Sequence, residues 1–263
     1  MLKVRVIPTM LWNDLGLVKG KKFDSWRRVG TVLPAIKIYN SRDVDELLLL
    51  DIVANKKLYE PDYESLNEFT NFCFVPFAFG GGIKGPDQIQ KLLSVGADKV
   101  CLNTINYVSP KVIEDAAKKF GSQCLIASVD VKVIENEYRC FSHSGTKCTN
   151  KKLEHYIKEL EDRGAGEVLI TSIDKDGTME GYDIELISAV SSKISIPVIA
   201  SGGAGGYQDM EKAIKEGGAS AVAAASMFHF TEQTPDQAKL YLKDKGIPVR
   251  MPLDGNKVNE TNS

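Results

Sequence analysis

The chain has 263 residues, more than an average domain but within the range of a single α/β barrel. Hydrophobic residues make up 43% and charged residues 26%, which excludes a disordered, collagen-like or low-complexity chain. Thirty-three Lys and Arg against thirty-five Asp and Glu leave a formal charge of −2. No global field then holds nucleic acid or an anionic membrane, and an anionic ligand has to be bound locally.

From the N-terminus, short β-rich runs fall at 3–9, 46–52, 74–79, 98–103, 123–131, 167–173, 196–200 and 220–225, each followed by a longer segment of helical spacing. The first begins at Lys3, which leaves no room for a secretion leader. The longest weakly polar stretch, Ala219–Phe228, is far short of the ~20 residues of a membrane helix, so a soluble, cytoplasmic chain is expected. Eight units at about 33 residues each predict a (β/α)8 TIM barrel over residues 1–250. The alternative, an open doubly wound sheet, needs fewer strands and one dominant Gly-rich turn. Gly85-Pro86-Asp87, Ser109-Pro110 and Thr234-Pro235 mark helix starts, because proline in the first turn has no amide to lose. Residues 251–263 read as a frayed polar tail. Cys73, Cys101, Cys124, Cys140 and Cys148 form no CxxC pair and have few histidines to join, so reduced thiols are expected, with no metal site and no cofactor.

The sequence repeats by halves. Pro76, Gly81 and Gly82 return as Pro197, Gly202 and Gly203, and Glu46 returns as Glu167, every offset being 121 (197−76, 202−81, 203−82, 167−46). Two fused half-barrels of four βα units follow from that spacing.

In such a barrel the residues just past each strand's C-terminal end build the active face. Gly81–Gly82 and Asn103–Thr104 follow the third and fourth strands; Gly202–Gly203 and Ala225–Ser226 follow the seventh and eighth. Glycines let backbone amides approach an anion, and a following helix start adds its positive end. The repeat therefore predicts two phosphate sites across the mouth and a bisphosphorylated ligand, although glycines there can also simply make tight turns. Asp130 ends the fifth strand and is the better candidate for general acid–base work, while Asp51 and Asp174 read as loop caps. Lys19, after the first strand, either clamps a phosphate or is solvated. His143 reads as a solvated loop residue and His229 as packed. Trp12 is either a plug in the mouth or a stacking surface for a ligand ring.

Over residues 1 to about 250 the chain resembles the HisF-like cyclase subunit of imidazole glycerol-phosphate synthase, through "FGSQ", "RGAGEVLITSIDKDGT", "GYD", "IPVIASGGAG" and "GADKV". The resemblance implies a barrel that takes ammonia from a HisH-like glutaminase at its lower face and adds it to a bisphosphorylated substrate above. It also implies phosphate contacts at Gly82, Asn103, Thr104, Asp176, Gly177, Gly203, Ala225 and Ser226, a catalytic Asp130 and a mobile-loop Lys19. Arg5, Glu46, Lys99 and Glu167 match its ammonia gate, which could equally be a stability feature of the barrel base, and Asp98 matches a position used in docking the glutaminase.

One departure stands out: where that family has its first catalytic aspartate, this chain has Leu11, and Asp14 lies too far along the loop to replace it. Leucine carries no proton. The changed loop "LWNDLGLVKG" looks like paralogues of surface-polysaccharide pathways, in which this subunit and its glutaminase supply ammonia to a separate sugar amidotransferase. Ammonia delivery for sugar amidation is thus the first expectation. A working histidine-biosynthesis cyclase is the second, and a non-catalytic phosphate-binding regulatory scaffold the third.

Overall fold

The computed structural model describes residues 3–14, 16–54 and 59–251. Twelve strands and ten α-helices alternate along them. Eight strands are parallel and close on themselves: β1 (Arg5–Asn13), β4 (Leu47–Asp51), β5 (Phe77–Gly80), β6 (Lys99–Leu102), β7 (Leu125–Ile134), β10 (Glu167–Ser172), β11 (Val198–Ser201) and β12 (Ala221–Ala224). β12 pairs with β1 through Arg5↔Ala221 to Pro8↔Ala224, and β7 pairs with β10 through Glu167↔Ile126 to Ser172↔Val131, which completes the ring. This is the predicted (β/α)8 TIM barrel, with all eight strands at the expected places. Among the described residues no helix is long and apolar enough to cross a membrane.

The "LLLL" run of β4 shows why these segments become barrel strands. A strand buried on both faces needs apolar residues at consecutive positions. Leu48 and Leu50 turn inward to join Ile7, Ala78, Cys101, Ile126, Leu169, Ile199, Ala221 and Ala223, while Leu47 and Leu49 turn outward against the helices. The helices answer with one apolar stripe each. In α5 (Lys111–Phe120), Val112, Ile113 and Ala116 are buried and Lys118 and Lys119 lie in the last turn.

Two helix starts follow the sequence reading. Pro86 opens α3 (Pro86–Ser94) after Gly85, and Pro235 opens α10 (Pro235–Asp244) after Thr234, whose hydroxyl accepts the Gln237 amide. The third differs. Pro110 is itself the N-cap of α5, and Ser109 ends the short helix α4 (Thr104–Val108) without a side-chain cap bond.

The larger correction concerns β1 and β7, which the sequence ends near residues 9 and 131. Both run past the barrel rim and fold back. β2 (Gly16–Lys21) and β3 (Asp24–Gly30) extend the first, and β8 (Glu137–Ser142) and β9 (Lys147–Lys152) the second. Asp130 is therefore within a strand, at the point where it leaves the barrel, not at its end. Of the polar tail, all but Met251 lies outside the described residues. The five cysteines are free, with Cys101, Cys124 and Cys140 buried and Cys148 exposed.

Candidate functional site

The barrel interior is layered. At the N-terminal ends of the strands, Arg5 binds Glu46 (2.6 Å) and Glu167 (2.6 Å), and Lys99 binds the same two carboxylates (2.8 Å each). The four expected residues thus form one closed ring across β1, β4, β6 and β10. Above it lies the apolar cluster of Ile7, Leu48, Ala78 and their neighbours, and above that the mouth. Asp98, next to Lys99, is exposed and accepts the Phe77 amide through Oδ2 (2.8 Å). Asp45, next to Glu46, accepts the Val6 amide in the same way, but is also bound by Lys239 and Arg250. Asp98 has no cationic partner among the described residues.

The mouth is a cleft with about 1230 Å³ of empty space, counting its open outer side. Gly81, Gly82, Asn103, Thr104, Asp130, Asp176, Gly177, Gly202, Gly203, Ala225 and Ser226 all line it, as does Leu11. The two glycine turns correspond closely. Gly81 has φ +117° and a Cβ there would lie 2.3 Å from the Asp51 carbonyl oxygen; Gly202 has φ +89° and its Cβ would lie 2.7 Å from that of Ser172. Asp51 and Ser172 are themselves 121 residues apart. A left-handed backbone pressed on a neighbouring strand admits only glycine without strain.

Strand register gives Leu11 its place in the barrel. Leu11 pairs with Leu50 on β4, and Asp130 pairs with Thr171 on β10, the residue 121 beyond Leu50. Leu11 thus occupies the half-barrel counterpart of Asp130. β1 and β7 stand opposite each other, with three strands between them on either side. Asp14 sits in the β1–β2 turn, where its carboxylate accepts from the Tyr59 hydroxyl, and it does not line the mouth.

Burial pushes the Asp130 carboxyl up to about 7, the nearby Asp176 charge adds to this, and a hydrogen bond from Asn103 Nδ2 (2.7 Å) opposes it. Asp176 is raised to about 6, chiefly by desolvation. Asp51 and Asp174 are loop caps as expected. Asp51 Oδ1 accepts the amides of Val53 and Ala54, and Asp174 accepts that of Val133.

Several side chains depart from their sequence reading. Lys19 is neither a solvated nor a mouth-lining residue. It is 2% exposed, donates to the Thr9 carbonyl (2.9 Å), and burial lowers its pKa to about 7 against the pull of Asp176. Trp12 neither plugs nor lines the mouth; it faces the helix layer and meets Phe69 edge-on at 5.6 Å. His143 is not simply solvated, because its amide donates to Thr104 Oγ1 (3.0 Å) and its ring meets Ser142 Oγ (2.9 Å). His229 is packed beside the Tyr39 hydroxyl, and burial lowers it to about 4.

Sequence reasoning missed the cover. The β2–β3 connection reaches the loop after β10, where the Lys22 amide donates to Asp176 O (2.9 Å), and the β8–β9 connection reaches the loop after β4, where Ser144 Oγ donates to Ile52 O (3.2 Å). The two meet where Phe23 packs on Gly145. Phe23, Trp26 and Ser144 line the mouth, as do Ser128 and Thr171 deeper down. Ser128 was within reach of the sequence, since residues two apart on a strand share a face and Asp130 was already placed.

A closed eight-stranded barrel with an ionic ring at its base and a two-fold mouth of glycine turns defines a half-barrel-repeat (β/α)8 protein. The model of the histidine biosynthesis protein family matches residues 5–234, and the chain belongs to that family. It is similar along nearly its whole length to proteins named imidazole glycerol phosphate synthase subunit HisF. Those of Hyphomonas neptunium (40% identical), Natranaerobius thermophilus (41%) and Chlorobaculum tepidum (39%) each align with 95% of this chain and with 99–100% of their own length.

Proposed function

We propose that this chain is the HisF-like synthase subunit of a glutamine-dependent amidotransferase. A HisH-like glutaminase docks at the lower face beside Asp98, ammonia passes the ring of Arg5, Glu46, Lys99 and Glu167, crosses the apolar interior and emerges in the mouth. The ammonia is then delivered to a separate acceptor, a sugar of surface-polysaccharide biosynthesis, instead of closing an imidazole ring. The observation that carries this reading is Leu11 at the counterpart position of Asp130 while the ring below is intact. One general acid–base group contributes roughly 10²–10⁴ in rate, so losing one of two disables ring closure without touching transfer through the barrel. The sugar acceptor rests on the likeness of the first loop to the paralogues of those pathways.

In this scheme the ring controls entry. Each cation bridges both carboxylates, so a passing molecule has to part at least one pair, and a partner seated on the lower face is placed to do so. The apolar layer above has no groups to protonate ammonia. The purified chain with its glutaminase and the bisphosphorylated cyclase substrate should hydrolyse glutamine and release ammonia but form no imidazole glycerol phosphate. Efficient formation of that product overturns the reading.

A second reading, a working imidazole glycerol phosphate synthase cyclase in histidine biosynthesis, is favoured by the names of the relatives and by both glycine turns. It requires Asp130 to act with a proton donor other than residue 11. Complementation of a histidine auxotroph separates the two: growth supports the cyclase, and failure with soluble protein supports delivery.

A further inference from the structure

The chain is nearly neutral as a whole, but its charge is unevenly placed. Residues 16–30 and 132–152, which hold the two hairpins over the mouth, contain ten basic and three acidic residues, leaving 23 and 32 for the rest (33−10, 35−3). Of the ten, Lys19 is buried, Arg139 pairs with Glu137 and Lys151 with Glu159. The other seven are exposed and have no carboxylate partner among the described residues: Lys21, Lys22, Arg27 and Arg28 on the first hairpin, Lys132, Lys147 and Lys152 on the second. Exposed lysines on the helices behave differently, as where Lys118 pairs with Glu114 (2.6 Å) and Lys215 with Glu211 (2.9 Å). The basic surface is continuous, because the hairpins meet at Phe23 and Gly145. It also carries apolar side chains. Val133 and Ile134 are exposed near the tip of the second hairpin, and the Arg27 guanidinium lies 4.1 Å from the ring centroid of the exposed Phe230.

The cleft below has the opposite character. Asp51, Asp130 and Asp176 line it, and no lysine or arginine does. The seven cations therefore stand around the opening and not in it, which separates them from a small anion bound inside and suits a body wider than the mouth. Arginine and aromatic side chains beside a polar, charged rim are what protein interfaces favour. We propose that the two hairpins form the docking face for the protein that consumes the ammonia, a partner whose own entrance is rimmed by acidic side chains and which seats over the mouth. The proposal rests on the delivery reading and adds to it the place and the charge of the acceptor. Ammonia that leaves through open water at neutral pH is protonated and no longer a nucleophile. A partner over the hairpins closes the open outer side of the cleft and keeps the path dry, while opposite charge speeds and orients its approach.

The test uses the full chain bound to its glutaminase, with the sugar amidotransferase of the same cells as the probe. Binding is followed by surface plasmon resonance and, separately, the share of glutamine nitrogen that ends on the sugar is measured. Combining Arg28→Glu, Lys147→Glu and Lys152→Glu should slow association at least about tenfold and lower transfer to the sugar with it. Glutamine hydrolysis should stay unchanged, which also shows that the variant is folded. Arg28→Lys with Lys147→Arg and Lys152→Arg keeps the charges and should bind like the unaltered chain. High salt should slow association of the unaltered chain by a similar factor, because exposed charges are screened. The absence of such an enzyme from those cells, no binding, or undiminished binding after charge reversal overturns the proposal. So does a reversed variant that loses inorganic pyrophosphate but keeps the amidotransferase, since the face then gathers small anions. Transfer to the sugar that charge reversal leaves untouched removes the interface alone; binding through the hairpins without any transfer removes the delivery reading and leaves the interface.

Discussion

The two halves of the barrel carry the same glycine turns but different chemistry one layer below. Gly81 and Gly202 press on Asp51 and Ser172 in the same way, and Thr104 and Ser226 follow the next strand in each half. At the layer beneath, Asn103, Asp130 and Thr171 in one wall correspond to Ala225, Leu11 and Leu50 in the other. A glycine turn at positive φ depends on backbone geometry and close approach, so it persists while side chains nearby change. Proton handling depends on one functional group at one position, and a single substitution removes it.

The comparison breaks most decisively at Asp130. If the cyclase reading holds, Asp130→Asn should lower imidazole glycerol phosphate formation by roughly 10²–10⁴, while Leu11→Ala should change it less than about tenfold; if delivery holds, neither change should alter ammonia release. A large loss in Leu11→Ala would mean that both walls act. Leu11→Asp sharpens the same point from the other side: it should allow imidazole glycerol phosphate to form, read by complementation of a histidine auxotroph, and should lower stability by burying a second carboxyl.

Asp130 also weighs on stability. Burial pushes its carboxyl up to about 7 in the folded chain from the ordinary 3.8, so the folded chain holds the extra proton between those values and loses stability as pH rises from about 4 to about 7. Asp130→Asn should therefore raise unfolding free energy by ~2–4 kcal/mol at pH 8 and change it little at pH 4, in denaturant titrations at the two pH values.

At the base, Glu46→Ala leaves Arg5 and Lys99 to share Glu167 and should cost ~2–4 kcal/mol in the same titrations. The smallest effects belong to the turns. Gly81→Ala and Gly202→Ala should each cost ~1–3 kcal/mol, because both force a Cβ into a carbonyl at positive φ. Clearly unequal costs would show that the two turns are not equivalent.

The glycine turns, Asp130, the ring residues and the departure at Leu11 were legible because each is a local pattern repeated at a fixed spacing or set in a motif. The hairpins over the mouth were not. "GLVKGKKFDSW" and "EYRCFSHSG" have no strict alternation, since β3 and β9 are largely exposed and little burial constrains their pattern. Lys19 and Trp12 were ambiguous for a related reason: a long or amphipathic side chain takes its direction from what packs around it, which a strand's sequence does not state.

The sequence by itself determined the eight-fold βα count, the half-barrel repeat, the glycine turns and a leucine at position 11, because periodicity, backbone-restricted residues and motif spacing are properties of the chain. Only the tertiary structure decided that Leu11 and Asp130 are counterparts across one mouth, that four charges from distant strands close into a ring, and that Asn103 turns its amide to Asp130 and leaves its oxygen buried without a partner. Those relations join residues from separate strands, and strand register, burial and hydrogen-bond direction exist only once the barrel has closed.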